Sequence, residues 1–312
     1  MKKIDKMFNE FSELKLIEVW FRNEIENKSS KHPIKNVYRG YSIRKPKKID
    51  EAIDVLKNSS DFYDQLWARM YIDHYYWGNA LLGYLNKIFN NLKYLQGFSN
   101  FIANLKNAEQ FWDTISEMEF NAYFNKRFST TLEPKIFYEP DKHKKLDSKI
   151  KIDQRDILFE IITPRMIEKT TSEKAEWIKN RAKDKLLDKL DKQIKPLEEV
   201  ITEPLIIVIN GSYSELDKIL VKDALLGQSQ FTVEKDEKTK EVIDIYLSRA
   251  KNALKDSRQQ ASIISAVLIY KRIIHSLGIE FSTELILNKN SNYPLSSTEY
   301  NRLRRFNITK IK

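Results

Sequence analysis

The chain contains no cysteine, which excludes disulfides and thiolate metal sites. Histidine is nearly as scarce. His32, His74, His143 and His275 are scattered and form no zinc-ligand spacing. Thiol and imidazole nucleophile chemistry is therefore poorly supplied, and any metal has to be held by oxygen, which points to magnesium or manganese. Only 7 glycines and 8 prolines punctuate the 312 residues, so helices are expected to be long and loops few. No apolar run approaches the length needed to cross a bilayer. The opening segment from Met1 to Glu13 is amphipathic and charged, without the apolar stretch of a signal peptide. The expectation is a cytoplasmic protein with no membrane partner.

What is present is a substantial apolar fraction, 41%, enough for a sizeable core. The length allows one large domain or two ordinary ones. Basic residues outnumber acidic ones, 54 to 44, for a formal net charge of +10. That balance favours a polyanionic partner, nucleic acid being the commonest.

Residues 1–105 read as an all-helical region. Phe8, Phe11, Leu14, Ile17 and Phe21 recur at helical spacing, predicting a helix over Met7–Ile25. A basic connection follows (Lys31, Lys35, Arg39, Arg44, Lys45, Lys47, Lys48), expected to be irregular because Pro33 and Pro46 interrupt it. It reads either as a phosphate-contacting loop or as a solvated linker. Helical pattern resumes over Ile49–Leu56 and Phe62–Phe89. The aromatic run Tyr71, Tyr75, Tyr76 and Trp77 is better explained by packing between helices than by base stacking.

From residue 106 to 312 the pattern becomes mixed, αβββαβ at its heart. Phe111–Phe128 reads as a helix carrying Glu117 and Glu119 among apolar neighbours. Leu132–Tyr138 reads as a first strand. Leu146–Pro164 (LDSKIKIDQRDILFEIITP) reads as a hairpin turning on Asp153 and Gln154. Because side chains alternate faces along a strand, this register sets Asp147 opposite Glu160. Ile150, Ile152, Ile157, Phe159 and Ile161 then share one face. Asp147, Lys149, Lys151, Asp156 and Glu160 share the other. Opposed carboxylates repel, and a hard divalent cation between them removes that cost; neutralisation by Lys149 and Lys151 is the plainer alternative. Glu173–Lys195 reads as a long basic helix, and Leu205–Ile209 as a strand buried on both faces. Ser214–Leu226 and Ile243–Leu254 read as helices, Phe231–Glu241 as a charged hairpin or insertion, and Ser262–Lys271 as another buried strand. A loop around Pro294 and a short basic end close the chain.

The sequence SEMEF (Ser116–Phe120), the hairpin from Asp147 to Glu160, and EIITP (Glu160–Pro164), followed by a helix and a buried strand, resemble the PD-(D/E)XK nuclease superfamily, the restriction-endonuclease-like fold. The resemblance covers roughly residues 107–212 and extends loosely to the C-terminus, leaving the helical region outside. It implies a magnesium- or manganese-dependent nuclease acting on DNA, working in pairs where both strands are cut. By position, Asp147 and Glu160 would bind the metal, and Glu119 would complete the site, with Glu117 as the alternative. The sequence departs from the pattern at two places. Leu146 precedes the aspartate, and Ile162 stands where a lysine is expected. Lys149, on the carboxylate face, is the first substitute for that lysine; Lys185 and Lys189 of the following helix are others. The departure at Ile162 also supports a second reading, a catalytically inactive nuclease-like fold that binds nucleic acid or protein.

Overall fold

Helices occupy the N-terminal part of the chain, as its apolar spacing requires. The computed structural model describes residues 3–42, 46–60, 78, 80–163, 188–212, 229–235, 242–249, 260–275, 278–288 and 291–304. The chain is mixed α/β and divides into two compact units. The first comprises Met1–Leu132 with Arg272–Phe281, and the second Glu133–Lys271 with Ser282–Asn307. The sequence-based boundary at residue 105 thus falls inside the first unit.

In the first unit, α1 (Lys3–Glu10) and α2 (Glu18–Glu26) flank a 3₁₀ turn at Ser12–Ile17. The single helix expected over Met7–Ile25 is therefore broken at Phe11. The irregular connection expected around the prolines is instead helical: α3 is Pro33–Ser42 and α4 is Pro46–Asn58. Each proline is the first helical residue, where the missing N–H would have had no partner and the fixed φ suits the helix. Helices α5 (80–92), α6 (Phe98–Leu105) and α7 (Phe111–Asn125) follow. Met7, Phe8, Phe21, Leu81, Phe89, Phe101 and Phe111 are fully enclosed in one core. Each such side chain contributes roughly 2–3 kcal/mol of burial. Gly78 sits where a β-carbon would lie 2.7 Å from the Tyr41 nitrogen, so only glycine allows this approach to α3. Tyr71, Tyr75, Tyr76 and Trp77 lie outside the described residues.

Strand β1 (Ser129–Leu132) ends the main run of the first unit. The strand expected over Leu132–Tyr138 is split there. Glu133 takes a left-handed φ of 44° before Pro134, and the chain re-enters as β2 (Lys135–Glu139). That strand pairs with β3 (Lys142–Lys145) as a separate two-stranded ribbon. The hairpin of β4 (Ser148–Ile152) and β5 (Arg155–Ile162) has the register read from sequence, Ile152 facing Arg155 and Ser148 facing Phe159. Asp153, with φ 54°, supplies the left-handed turn position that aspartate tolerates better than most residues.

Strand β6 (Leu205–Asn210) is buried along its whole length, as its unbroken apolar run predicts. A second ribbon pairs β7 (Ser229–Lys235) with β8 (Val242–Arg249). This corrects the helix expected over Ile243–Leu254: Val242, Asp244, Tyr246 and Ser248 alternate with Ile243, Ile245 and Leu247, a period of two. A short helix, α8 (Gln260–Ile263), leads into β9 (Ile264–His275), which is followed by β10 (Gly278–Leu287) and α9 (Ser297–Arg304). Strand β10 was not anticipated. The principal sheet has six strands, and within the second unit its order is β4-β5-β6-β9-β10. Strand β5 is antiparallel to β4 and parallel to β6, and β6 is parallel to β9. One sheet face packs Leu158, Ile162, Leu205, Ile207 and Val267 against Ile194, Leu197 and Ile201. Of the long helix expected over Glu173–Lys195, the described end is a helical π-turn at Leu190–Ile194. The helix expected over Ser214–Leu226 lies outside the described residues.

Candidate active site at the hairpin base

The regular ladder of the hairpin stops at Ser148 and Phe159, and the two candidate carboxylates stand just beyond it. The Asp147 N–H donates to the Phe159 carbonyl at 3.1 Å. The Asp147 side chain turns back along the strand, accepting a 2.6 Å hydrogen bond from the Ile161 N–H. That bond fixes Asp147 against β5, directly beside Glu160. The pairing deduced from a period of two is thus realised as a close carboxylate pair, anchored by backbone donors.

The environment of Glu160 differs from the solvated face that alternation suggests. Strand β5 is buried on both faces from Ile157 to Ile162, because β6 flanks it and the segment around Ile194 and Leu197 covers the Glu160 side. Glu160 is 1% exposed. Its carboxyl is pushed up from 4.5 to about 8, first by burial and then by the negative charge of Asp147; Lys189 opposes the shift. One oxygen, Oε1, accepts from the Lys189 ammonium. The other, Oε2, is buried and has no hydrogen-bond partner among the described residues. Such an orphaned oxygen normally costs on the order of 1–3 kcal/mol.

Lys189 binds Glu160 and reaches within 3.9 Å of Asp147 Oδ2. It is the lysine that lies beside the two carboxyl groups. Lys149 itself is held by Asp156 at 2.8 Å, further up the hairpin, with both side chains about a third exposed. Lys151 is exposed. Ile162 is 2% exposed and belongs to the apolar cluster on the sheet face. Lys185 lies outside the described residues.

Glu119, the expected third ligand, belongs to α7 in the first unit. There its carboxylate meets the Arg272 guanidinium at 3.1 Å, each side chain 2% exposed. Glu117, its alternative, is only half-buried. Among the described residues no group of three or more acidic or histidine side chains forms a metal cluster. The structure thus brings Asp147, Glu160 and Lys189 together.

Two of these partners carried a readable signal. Lys189 falls three residues after Leu186 and one before Leu190, at the margin of an apolar helical stripe where a long basic side chain can reach the sheet. Arg272, unremarked in the sequence, is a charge inside the apolar run of β9, and such a charge requires a buried partner. Comparisons with protein-family models, curated proteins and solved structures give no match to this chain.

Proposed function

We propose that this chain is a divalent-metal-dependent nuclease, hydrolysing phosphodiester bonds, with Asp147 and Glu160 as metal ligands and Lys189 as the ammonium of the site. The carrying observation is the unpartnered Oε2 of buried Glu160 beside Asp147. Oxygen donors of this kind suit magnesium or manganese. When bound, such a cation would neutralise charge on a scissile phosphate and acidify an attacking water. The protein's own groups do the rest. The Ile161 N–H holds Asp147 in place. Glu160 would hold the cation as a carboxylate once its proton is lost. Lys189, beside both carboxyl groups, would donate to a phosphate oxygen and orient the water. The resemblance to the PD-(D/E)XK superfamily supports the same reading. A helix precedes an antiparallel hairpin whose second strand runs parallel to the next, β6. The excess of basic residues supports a nucleic-acid substrate, with DNA the first choice.

The test is incubation of circular and linear DNA and of RNA with magnesium, manganese or EDTA. Metal-dependent products are expected, and Glu160→Gln and Asp147→Asn should each abolish them. Products that persist in the double variant would remove this site from the reaction.

A second reading is an inactive fold of the same kind, binding nucleic acid or protein. It is favoured by Ile162 and by the Lys189 ammonium, which already neutralises the carboxylates without a metal. Thermal unfolding separates the two: manganese should raise the melting temperature of the wild type, and this shift should vanish in Glu160→Gln if the metal site is real. No shift and no products would leave the inactive fold.

A further inference from the structure

The ribbon of β2 and β3 lies immediately before Asp147 in the chain and carries an exposed aromatic pair. Phe137 and His143 are opposite each other in the ribbon register, with ring centroids 5.2 Å apart. Phe137 is 56% exposed, so its ring is open to a ligand. On the opposite face, Ile136 and Tyr138 pack against the apolar cluster of the second unit. The next pair on the same face sets Lys135 across from Lys145, which Glu133 engages at 2.9 Å. Exposed Lys135 offers an ammonium to a polyanion on the face of the ring pair. Of the ribbon's acidic side chains, Glu133 is engaged by Lys145 at 2.9 Å and Glu139 by Lys142 at 2.8 Å, while Asp141 stands exposed in the turn.

Resting on the nucleic-acid substrate proposed above, we infer that the Phe137–His143 pair is a stacking platform for an unpaired base, and that the substrate is presented to the site as a single strand. A base face suits an exposed ring, whereas a duplex keeps its bases stacked on one another. Asp147 is four positions after His143, roughly 13 Å of extended chain at most. One strand held by Lys135 and the ring pair therefore reaches the carboxylates within a few nucleotides. The backbone is tied at this junction: the Leu146 N–H donates to the Pro134 carbonyl at 3.1 Å.

The experiment uses the full-length chain in EDTA, so that nothing is cleaved, with 2-aminopurine oligonucleotides of single-stranded DNA, single-stranded RNA and duplex DNA. Binding of single strands with quenching of the 2-aminopurine is expected. Phe137→Ala should weaken binding by roughly tenfold or more and remove the quenching, while Phe137→Trp should retain both. Melting temperature verifies that the variants fold. Equal affinity and quenching in wild type and Phe137→Ala would overturn the platform, as would no binding or equal preference for duplex. The two proposals fail separately. Phe137-dependent quenching without metal-dependent cleavage keeps the platform and removes the nuclease; cleavage with binding indifferent to Phe137 does the reverse. The single-stranded DNA and RNA arms show which sugar the platform accepts.

Discussion

Position 162 shows why a motif cannot be repaired one residue at a time. The resemblance implies a lysine there, yet Ile162 is 2% exposed and part of the apolar face that meets Ile194 and Leu197. An ammonium at that position would lose its hydration inside this apolar face. Ile162→Lys is therefore expected to lower stability by about 3 kcal/mol or more, measured by urea unfolding, rather than to complete the site. Unchanged stability would show that the side chain can escape the core. The ammonium that meets Glu160 is that of Lys189, from a different element. Glu160 makes a second prediction. Its folded-state pKa lies above its ordinary value, raised from 4.5 to about 8. The folded protein therefore keeps a proton that the unfolded chain releases, and the linked stability is present at low pH and lost as pH rises through about 8. In EDTA, the melting temperature of the wild type should fall between about pH 5 and pH 8. Glu160→Gln, which cannot ionise, should show a shallower fall. Parallel curves would mean that Glu160 ionises as it does in water.

At the scale of elements, the C-terminal helix α9 acts as a brace on the turn of the β4–β5 hairpin. Its start is a reciprocal cap. The Ser296 N–H donates to Glu299 at 2.6 Å, and the Glu299 N–H donates to the Ser296 hydroxyl at 3.2 Å. Glu299 is 4% exposed and also accepts from Arg155, at 3.4 Å, while Arg302 pairs with Asp153 of the turn at 2.8 Å. Glu299→Ala removes a cap and leaves Arg155 without this carboxylate. The expected cost is about 1–2 kcal/mol, read from thermal unfolding; a loss within error would show that the brace is decorative. The motif was legible as Ser-Ser-Thr-Glu ahead of Tyr300 and Leu303, but the tail was read as a loop around Pro294 with a short basic end. The prolines misled in the other direction. Pro33 and Pro46 read in the sequence as interruptions, whereas each stands at the start of a helix. A proline marks a boundary without saying on which side the helix lies. Strand β8 was misread because a short apolar run fits either period when its neighbours are ambiguous.

At the scale of the whole molecule, the first unit builds its core from helices and the second from a sheet. The formal charge of +10 is a property of the chain and says only that polyanions are attracted. The sequence by itself determined that no thiolate can hold a metal, the helical N-terminal region, and the register that sets Asp147 beside Glu160. The latter two depend on neighbours within one helix or one hairpin, so local periodicity is enough to specify them. Only the tertiary structure decided that Glu160 is buried, that Lys189 rather than Lys149 reaches it, and that Glu119 is held by Arg272. Alternation along β5 assigns side chains to faces but cannot tell whether another element covers a face. The partner of a buried charge depends on chain closure across 29 residues for Lys189 and Glu160, and across 153 for Arg272 and Glu119.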